Sequence, residues 1–403
     1  MRAIYFEKSI PRVAATLALK PVWPGAVYAP FAPVRYAQLP EPALPTGEAG
    51  RGWLRVHNTV CGICASDLHL LFVDVDPRVH PAALPGYSRL YLGHEVASRV
   101  TDTNPGCSLK VGDRVLMKSR FLNPTCDSQA ITPRCRHCEA GDYALCQNAG
   151  AGQGARGVGG GWGDGYTCHE SEVWKAPDFL SDDAVSLIEP LACGVRAALR
   201  RLPQPGEKAL VVGCGMIGLG TVQALRALAP KAHIYAAARY PQQVAMAERW
   251  GATVVRGDMF DIAARETGAQ VHTGDFKNRS ALGGFDVVYD CVGNDASVQQ
   301  ALRVTRAGGT VVIVGVYLKP MSLDLTPVWH QEVNLLGALA HGAETWDGRR
   351  WSTFDLTAEL LRRGLMTHEG YITHRFKLEN WRQAVNTAID KHSGAIKVVF
   401  DYG

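Results

Sequence analysis

The sequence predicts an α/β protein of two domains, one mostly β and one built on a parallel sheet wound on both faces. Three observations predict it. At 403 residues the chain exceeds what a single hydrophobic core ordinarily serves. Its texture changes near residue 195, from Pro- and Gly-rich sequence with short apolar runs to apolar strands alternating with helical stretches. A Gly213-x-Gly215-x-x-Gly218 loop also stands between a strand-like and a helix-like run.

In order along the chain, residues 1 to about 175 carry apolar runs such as 53–56 and 114–117, the pattern of short strands between loops. The segment 21–45 is Pro-rich and aromatic and takes no assignment. Strands are expected at 209–212, 234–237, 286–289 and 310–314. Each of the first three is followed by a helix-like stretch, so the sheet should be parallel. The polar run 257–284 resists assignment. The tail has helix-like stretches at 356–363 and 379–391 and a strand at 396–400, and its pattern does not say which domain it joins.

Hydrophobic residues at 47% and charged residues at 20% are those of a folded globular chain. A net charge of +4 is too small a field to argue for nucleic acid or an anionic membrane as partner. The longest apolar stretch, 209–225, contains four glycines and reads as strand, turn and helix start, not as a membrane span. Glu7 and Lys8 interrupt any secretory signal, and a cytoplasmic location is expected. Eleven cysteines are too few for a disulfide scaffold in a chain of this size. Four of them, Cys126-x8-Cys135-x2-Cys138-x7-Cys146, cluster as a metal site would require in a reducing compartment.

The glycine loop points to a dinucleotide. Its first glycine permits the turn, the second lets backbone approach a pyrophosphate, and the third allows close packing of helix on strand. Gly213, Gly215, Met216, Ile217 and Gly218 are therefore the cofactor-binding candidates, with the helix N-terminus facing the anion. Where an acid would bind the ribose of NAD, at the end of the second strand, stand Ala238 and Arg239. Loss of the carboxylate and gain of a guanidinium favour NADP, with NAD as the alternative.

Three further groups precede that loop: Cys61-Gly62-Ile63-Cys64-Ala65-Ser66-Asp67-Leu68-His69, Gly93-His94-Glu95, and Glu189-Pro190-Leu191. Thiolate, imidazole and carboxylate are the ligands a catalytic zinc takes, leaving one position open. By spacing alone either cysteine qualifies. Zinc polarises an alcohol or carbonyl oxygen, and a nicotinamide beside it can take the hydride. Four thiolates at Cys126, Cys135, Cys138 and Cys146 would instead close a structural site, unless Cys126 stands outside an incomplete cluster. A zinc ribbon that touches nucleic acid is the functional alternative, but the lobe lacks the basic stripe and interleaved aromatics that it would need.

With these residues in order, the chain resembles the medium-chain, zinc-containing alcohol and polyol dehydrogenases, which include sorbitol and threonine dehydrogenases. The likeness rests on Cys-Gly-Ile-Cys-Ala-Ser-Asp at 61–67, Leu-Gly-His-Glu at 92–95, Val-Gly-Asp-Arg-Val at 111–115, Glu-Pro-Leu-Ala-Cys at 189–193 and the glycine loop. It implies a GroES-like catalytic domain from 1–194 and 341–403, with a Rossmann domain at 195–340 inserted, and the active site in the cleft. It selects Cys64 over Cys61 as ligand, with His94 as the second ligand and either Glu95 or Glu189 as the third. It gives Ser66 the proton of the alcohol and His69 its release, and has Asp67 orient a ligand imidazole. It matches Cys135, Cys138 and Cys146 to the last three positions of a structural zinc lobe.

Three departures stand out. Eight residues separate Cys126 from Cys135 where the family has two, 21–45 looks like an insertion, and Gly161-Trp162-Gly163-Asp164-Gly165-Tyr166 replaces a segment expected near the substrate. Trp162, Phe72 and Tyr91 are candidate pocket-lining residues. The implied activity is interconversion of a secondary alcohol, polyol or sugar-like, with its ketone, by a homodimer or homotetramer acting on a small molecule. The rivals are a zinc-free quinone reductase of the same fold and a non-catalytic, crystallin-like binding protein. The intact ligand set argues against both.

Overall fold

The computed structural model describes residues 1–76, 88–118, 125–149 and 156–403. The chain divides into two compact units, residues 1–189 with 368–403, and residues 190–367.

The first unit is built on the strand Trp53–Gly62, which alternates buried and less buried residues before its last three, Val60, Cys61 and Gly62, are all buried. It pairs antiparallel with Val96–Thr103, with Gly165–His169 and with Lys397–Asp401, in a sheet of eight strands. β-Branched and aromatic side chains suit the pleat, and Val56, Val96, Tyr166 and Phe400 join Leu54 in one core. The final strand thus belongs with the first unit, where the tail's own pattern leaves it unplaced.

The unassigned segment 21–45 contains a short 3-10 turn, Pro24–Tyr28, and the strand Val34–Gln38. That strand pairs with Arg2–Glu7 in a separate three-stranded sheet. The prolines hide this strand in the sequence, because they frame a run of only five residues.

In the second unit, six parallel strands stand in the order Thr253–Val255, His233–Ala237, Lys208–Val212, Phe285–Asp290, Thr305–Ile313, Asn334–Gly337. The four expected strands are present with slightly different ends. Thr253–Val255 and Asn334–Gly337 are additions to that expectation, being only three and four residues long. The run 257–284 folds as the helix Met259–Thr267, capped by the Asp258 carboxylate, followed by a hairpin of Gln270–Thr273 with Arg279–Leu282.

Residues 341–367 lie in the second unit, whereas the sequence boundaries set them in the first. The reason is local bonding. Arg196 and Glu344 form a largely buried ion pair at 2.9 Å, and Gln223 exchanges hydrogen bonds with the backbone of Thr367 at 2.8 and 3.0 Å.

Candidate active site and cysteine lobe

Cys64 is the N-cap of the helix Ala65–Leu71, and Asp67 in its first turn accepts the Cys64 backbone N–H at 3.3 Å. The other Asp67 oxygen accepts the Gly93 N–H at 3.0 Å and lies 3.6 Å from His94 Nδ1. One fully buried carboxylate therefore ties the segments of Cys64 and His94 together. Gly93 has φ +83° and packs against Trp162, where any Cβ would overlap the indole. This fixes the turn that delivers His94.

Cys61 is in the core. Its thiol is fully buried, burial pushes it far up, and it packs where a Cβ on Gly161 would collide. Cys64 is only half-buried. The two cysteines that spacing leaves equal are thus separated by solvation.

His94 sits buried among anions. Burial works against its charged form, but Asp67 and then Cys64 outweigh it and hold the imidazole well above its ordinary range. Sulfur, imidazole nitrogen and carboxylate oxygen are the donor types that a zinc ion takes. Ser66, also in the first turn, is 1% exposed, and its hydroxyl has no hydrogen-bond partner among the described residues. A buried unsatisfied hydroxyl costs about 1–3 kcal/mol, so its place calls for an external partner. His69, one turn further, is partly exposed, with Nδ1 3.3 Å from Asp74 Oδ2.

The two glutamates differ. Glu95 is fully engaged by Lys397, whose Nζ donates to Oε1 at 2.8 Å and Oε2 at 2.6 Å. Glu189 is buried in the helix Asp182–Arg200, just before Pro190, which removes one backbone hydrogen bond there. Burial works against the Lys397 charge, but Glu95 and Cys64, with a contribution from Glu189, keep it protonated. Sequence reasoning missed Lys397. The available signal was a lone cation inside the apolar run Lys397-Val398-Val399-Phe400.

The lobe is tighter. Cys126, Cys135, Cys138 and Cys146 have ligand atoms all within 4.8 Å of one another, the one such group among the described residues. Cys126 and Cys146 sulfurs are 3.8 Å apart, and a tetrahedron with Zn–S of about 2.3 Å has edges of about 3.8 Å. Cys126 Sγ also accepts the backbone N–H of Cys135 at 3.3 Å and Asn148 Nδ2 at 3.2 Å. Burial pushes the Cys135 thiol up, but backbone donors from Cys138 and Gln147 bring it down to about 6. The eight-residue spacer that sets Cys126 apart turns back on itself through Gln129 N–H to Thr125 O and Ile131 N–H to Cys126 O.

Trp162 is not a pocket wall. It is fully buried and meets Phe400 edge to face at 5.3 Å. The segment around it braces the core, and Asp164 is held by Arg2 at 2.6 and 2.8 Å. Phe72 packs on Tyr28 and Tyr91 on Tyr5.

In the second unit, the loop after Lys208–Val212 carries Gly213 at φ +87° and leads into the helix Met216–Leu228, whose N-cap is Gly215. A Cβ on Gly218 would overlap the Gly213 carbonyl, whereas one on Gly215 would meet nothing. Gly218 is thus a packing glycine, and Gly215 borders open space beside an N-terminus that no side chain caps. Ala238 is buried and Arg239 exposed, its guanidinium 5.8 Å from the Tyr240 ring centre.

Residues 50–178 match the family described as alcohol dehydrogenase GroES-like domain, and residues 217–353 match zinc-binding dehydrogenase. The chain is 27% identical to (R,R)-butanediol dehydrogenase of Bacillus subtilis, over 91% of this chain and 96% of that one. It is 26% identical to sorbitol dehydrogenase of the same organism, over 88% and 92%. A zinc-binding dehydrogenase of Sinorhizobium meliloti solved with NADP superposes with a TM-score of 0.66 at 25% identity, covering 91% and 95%. The chain belongs to the zinc-containing medium-chain alcohol and polyol dehydrogenase superfamily. It is an NAD(P)-dependent alcohol dehydrogenase with zinc among its cofactors, and its substrates are small alcohols and ketones. Among the described residues, no helix is long and apolar enough to cross a membrane.

Proposed function

We propose that this chain is a zinc-dependent dehydrogenase that interconverts a secondary alcohol, polyol- or sugar-like, with its ketone, and prefers NADP. The observation that carries the reading is the convergence of half-buried Cys64 with buried His94 and Asp67 beside the unpartnered Ser66 hydroxyl. Cys64, His94 and Glu189 are the residues that would hold zinc, which supplies Lewis acidity toward the substrate oxygen. Asp67 keeps Cys64 and His94 in register. Ser66 Oγ takes the proton from the substrate hydroxyl, and His69 passes it to solvent. A bound nicotinamide would supply the oxidant, accepting hydride from the carbon that bears this hydroxyl so that alcohol becomes ketone.

Gly213, Gly215, Met216, Ile217 and Gly218 bring backbone to the pyrophosphate, and the exposed Arg239 beside Ala238 pairs with a ribose 2′-phosphate. Cys126, Cys135, Cys138 and Cys146 hold a second, structural zinc. None of the eleven cysteines is in a disulfide, which suits a cytoplasmic enzyme. We take it to act as a homodimer or homotetramer.

The test is zinc analysis of the purified protein together with a screen of secondary alcohols and ketones with both cofactors. About two zinc per chain is expected, with kcat/KM for NADP at least roughly tenfold above NAD, about 1.4 kcal/mol of discrimination. A zinc-free active protein would refute the metal assignment. A tenfold preference for NAD would refute the role of Arg239.

A further inference from the structure

The segment 21–45 and the start of the helix Trp381–Ile389 lie outside both family matches, and between them the first unit has a cavity of about 530 Å³. Small-molecule sites commonly have volumes of about 300–1,000 Å³. Tyr28, Arg35 and Tyr36 line the cavity from the segment, and Asn380, Trp381 and Arg382 from the helix start. Its charge is unbalanced. Three guanidiniums gather on the carbonyls of one turn: Arg12 and Arg35 both donate to Pro30 O, at 3.0 and 2.7 Å, and Arg382 donates to Tyr28 O at 3.1 Å. Arg12 has the Glu7 carboxylate at 3.2 Å. Among the described residues neither Arg35 nor Arg382 has a carboxylate partner, and the one acid lining the cavity, Glu379, is taken by Arg2. Each guanidinium has five N–H donors in a planar fork, and the carbonyl contacts use one apiece. Arg382 also lies 5.3 Å from the Trp381 ring centre, which steadies the cation without neutralising it.

We propose that this cavity is a second small-molecule site, for a phosphorylated sugar or polyol whose phosphate is held by Arg35 and Arg382. Two guanidinium forks beside one turn match phosphate oxygens in geometry and supply the charge that neutral carbonyls do not. The remainder of the cavity suits a body that bears hydroxyls. Tyr28 is fixed before any ligand arrives, because its hydroxyl donates to Asn386 Oδ1 at 3.0 Å and its ring meets Trp381 edge to face at 5.5 Å. Asn380 and Gln383 add neutral amides that donate to and accept from hydroxyls, and Tyr36 adds a half-exposed ring against which C–H groups can pack. None of these groups takes part in the zinc reading, so failure of one leaves the other standing.

The experiment is isothermal titration of the full chain with glucose-6-phosphate, fructose-6-phosphate and sorbitol-6-phosphate, and with glucose, sorbitol and inorganic phosphate as controls. It compares wild type with Arg35→Gln, Arg382→Gln, the double variant and Tyr36→Ala. At least one sugar or polyol phosphate should bind wild type with Kd below about 1 mM, and roughly tenfold tighter than any control. Each single arginine variant should weaken that binding about tenfold, and the double variant on the order of 100-fold. Tyr36→Ala removes a ring and no charge, so it should weaken the same ligand about threefold and leave inorganic phosphate unaffected. Because Arg35 and Arg382 also hold the turn, this variant answers the question even if the arginine variants fold poorly. Alcohol oxidation should stay within about twofold of wild type in every variant, which separates the cavity from the active site. The inference is overturned by binding that survives in the double variant, by inorganic phosphate that binds as tightly as the best organic phosphate, or by a wild type that binds none of the three below about 1 mM.

Discussion

In the cysteine lobe, four sulfur atoms from residues 126–146 gather within 4.8 Å. Around Cys64 the donors are sulfur, nitrogen and oxygen, they come from segments far apart in sequence, and one nearby carboxylate is tied up by a lysine. The lobe is held by its own backbone, with N–H groups aimed at sulfur and tight turns between the ligands. The second centre is held by a buried carboxylate, Asp67, and it leaves a hydroxyl, Ser66, with its hydrogen-bonding capacity unused. On the proposed reading, the contrast is that between a staple and a reaction site. A site that must only bind satisfies every group within the protein, whereas a site that must turn over keeps groups in reserve for a visitor.

The largest expected effect comes from Cys64→Ser. It should lower kcat/KM by at least about a thousandfold, near 4 kcal/mol of transition-state stabilisation, while one zinc per chain and the melting temperature are retained. Retained turnover would erase the distinction between the two centres. Cys138→Ser is expected to act the other way. Losing a closed thiolate site should cost on the order of 3 kcal/mol of stability, read by denaturant unfolding, with activity per folded molecule changed little. A pure loss of kcat without loss of stability would contradict the structural role.

The smallest effect sharpens the comparison through Glu172. This residue is buried beside the lobe, and burial pushes its carboxyl up to about 7, against a hydrogen bond from Ser128. A carboxyl raised in the folded state holds more protons than the unfolded chain between the two pKa values, so stability falls as pH rises from about 4.5 to about 7. Glu172→Gln should therefore stabilise the zinc-loaded protein at pH 8 by on the order of 1–3 kcal/mol relative to wild type, and the gain should fade toward pH 4.5. Chemical denaturation of both proteins across that range would show it, and a gain independent of pH would refute the buried ionisation.

Much of this is legible in the sequence because the informative signals are local. The glycine loop, the Cys64 to His69 stretch and the Gly93-His94 pair each carry their chemistry within a few residues, and the central parallel strands announce themselves by apolar runs. What escapes notice depends on pairing across distance. Lys397 and Glu95 are 302 residues apart, and nothing in a short strand says which way its one lysine points. Trp162 reads as a pocket residue because its segment is expected near the substrate, yet the absent Cβ of Gly93 lets its indole pack in the core. Family resemblance assigns the stretch 341–367 to the first domain, and polar contacts to Arg196 and Gln223 place it in the second unit.

The separation of Lys397 from the lobe has a consequence for biosynthesis. The four lobe cysteines have all been translated by residue 146, whereas the lysine that neutralises Glu95 is added roughly 250 residues later. At about 5–20 residues per second, that interval lasts on the order of 10–50 s. A nascent chain on the ribosome can thus load its staple early, but the nascent Glu95 has no ammonium to bind until the last strand joins the sheet. Metal offered during that interval would meet a different set of donors from those in the finished enzyme.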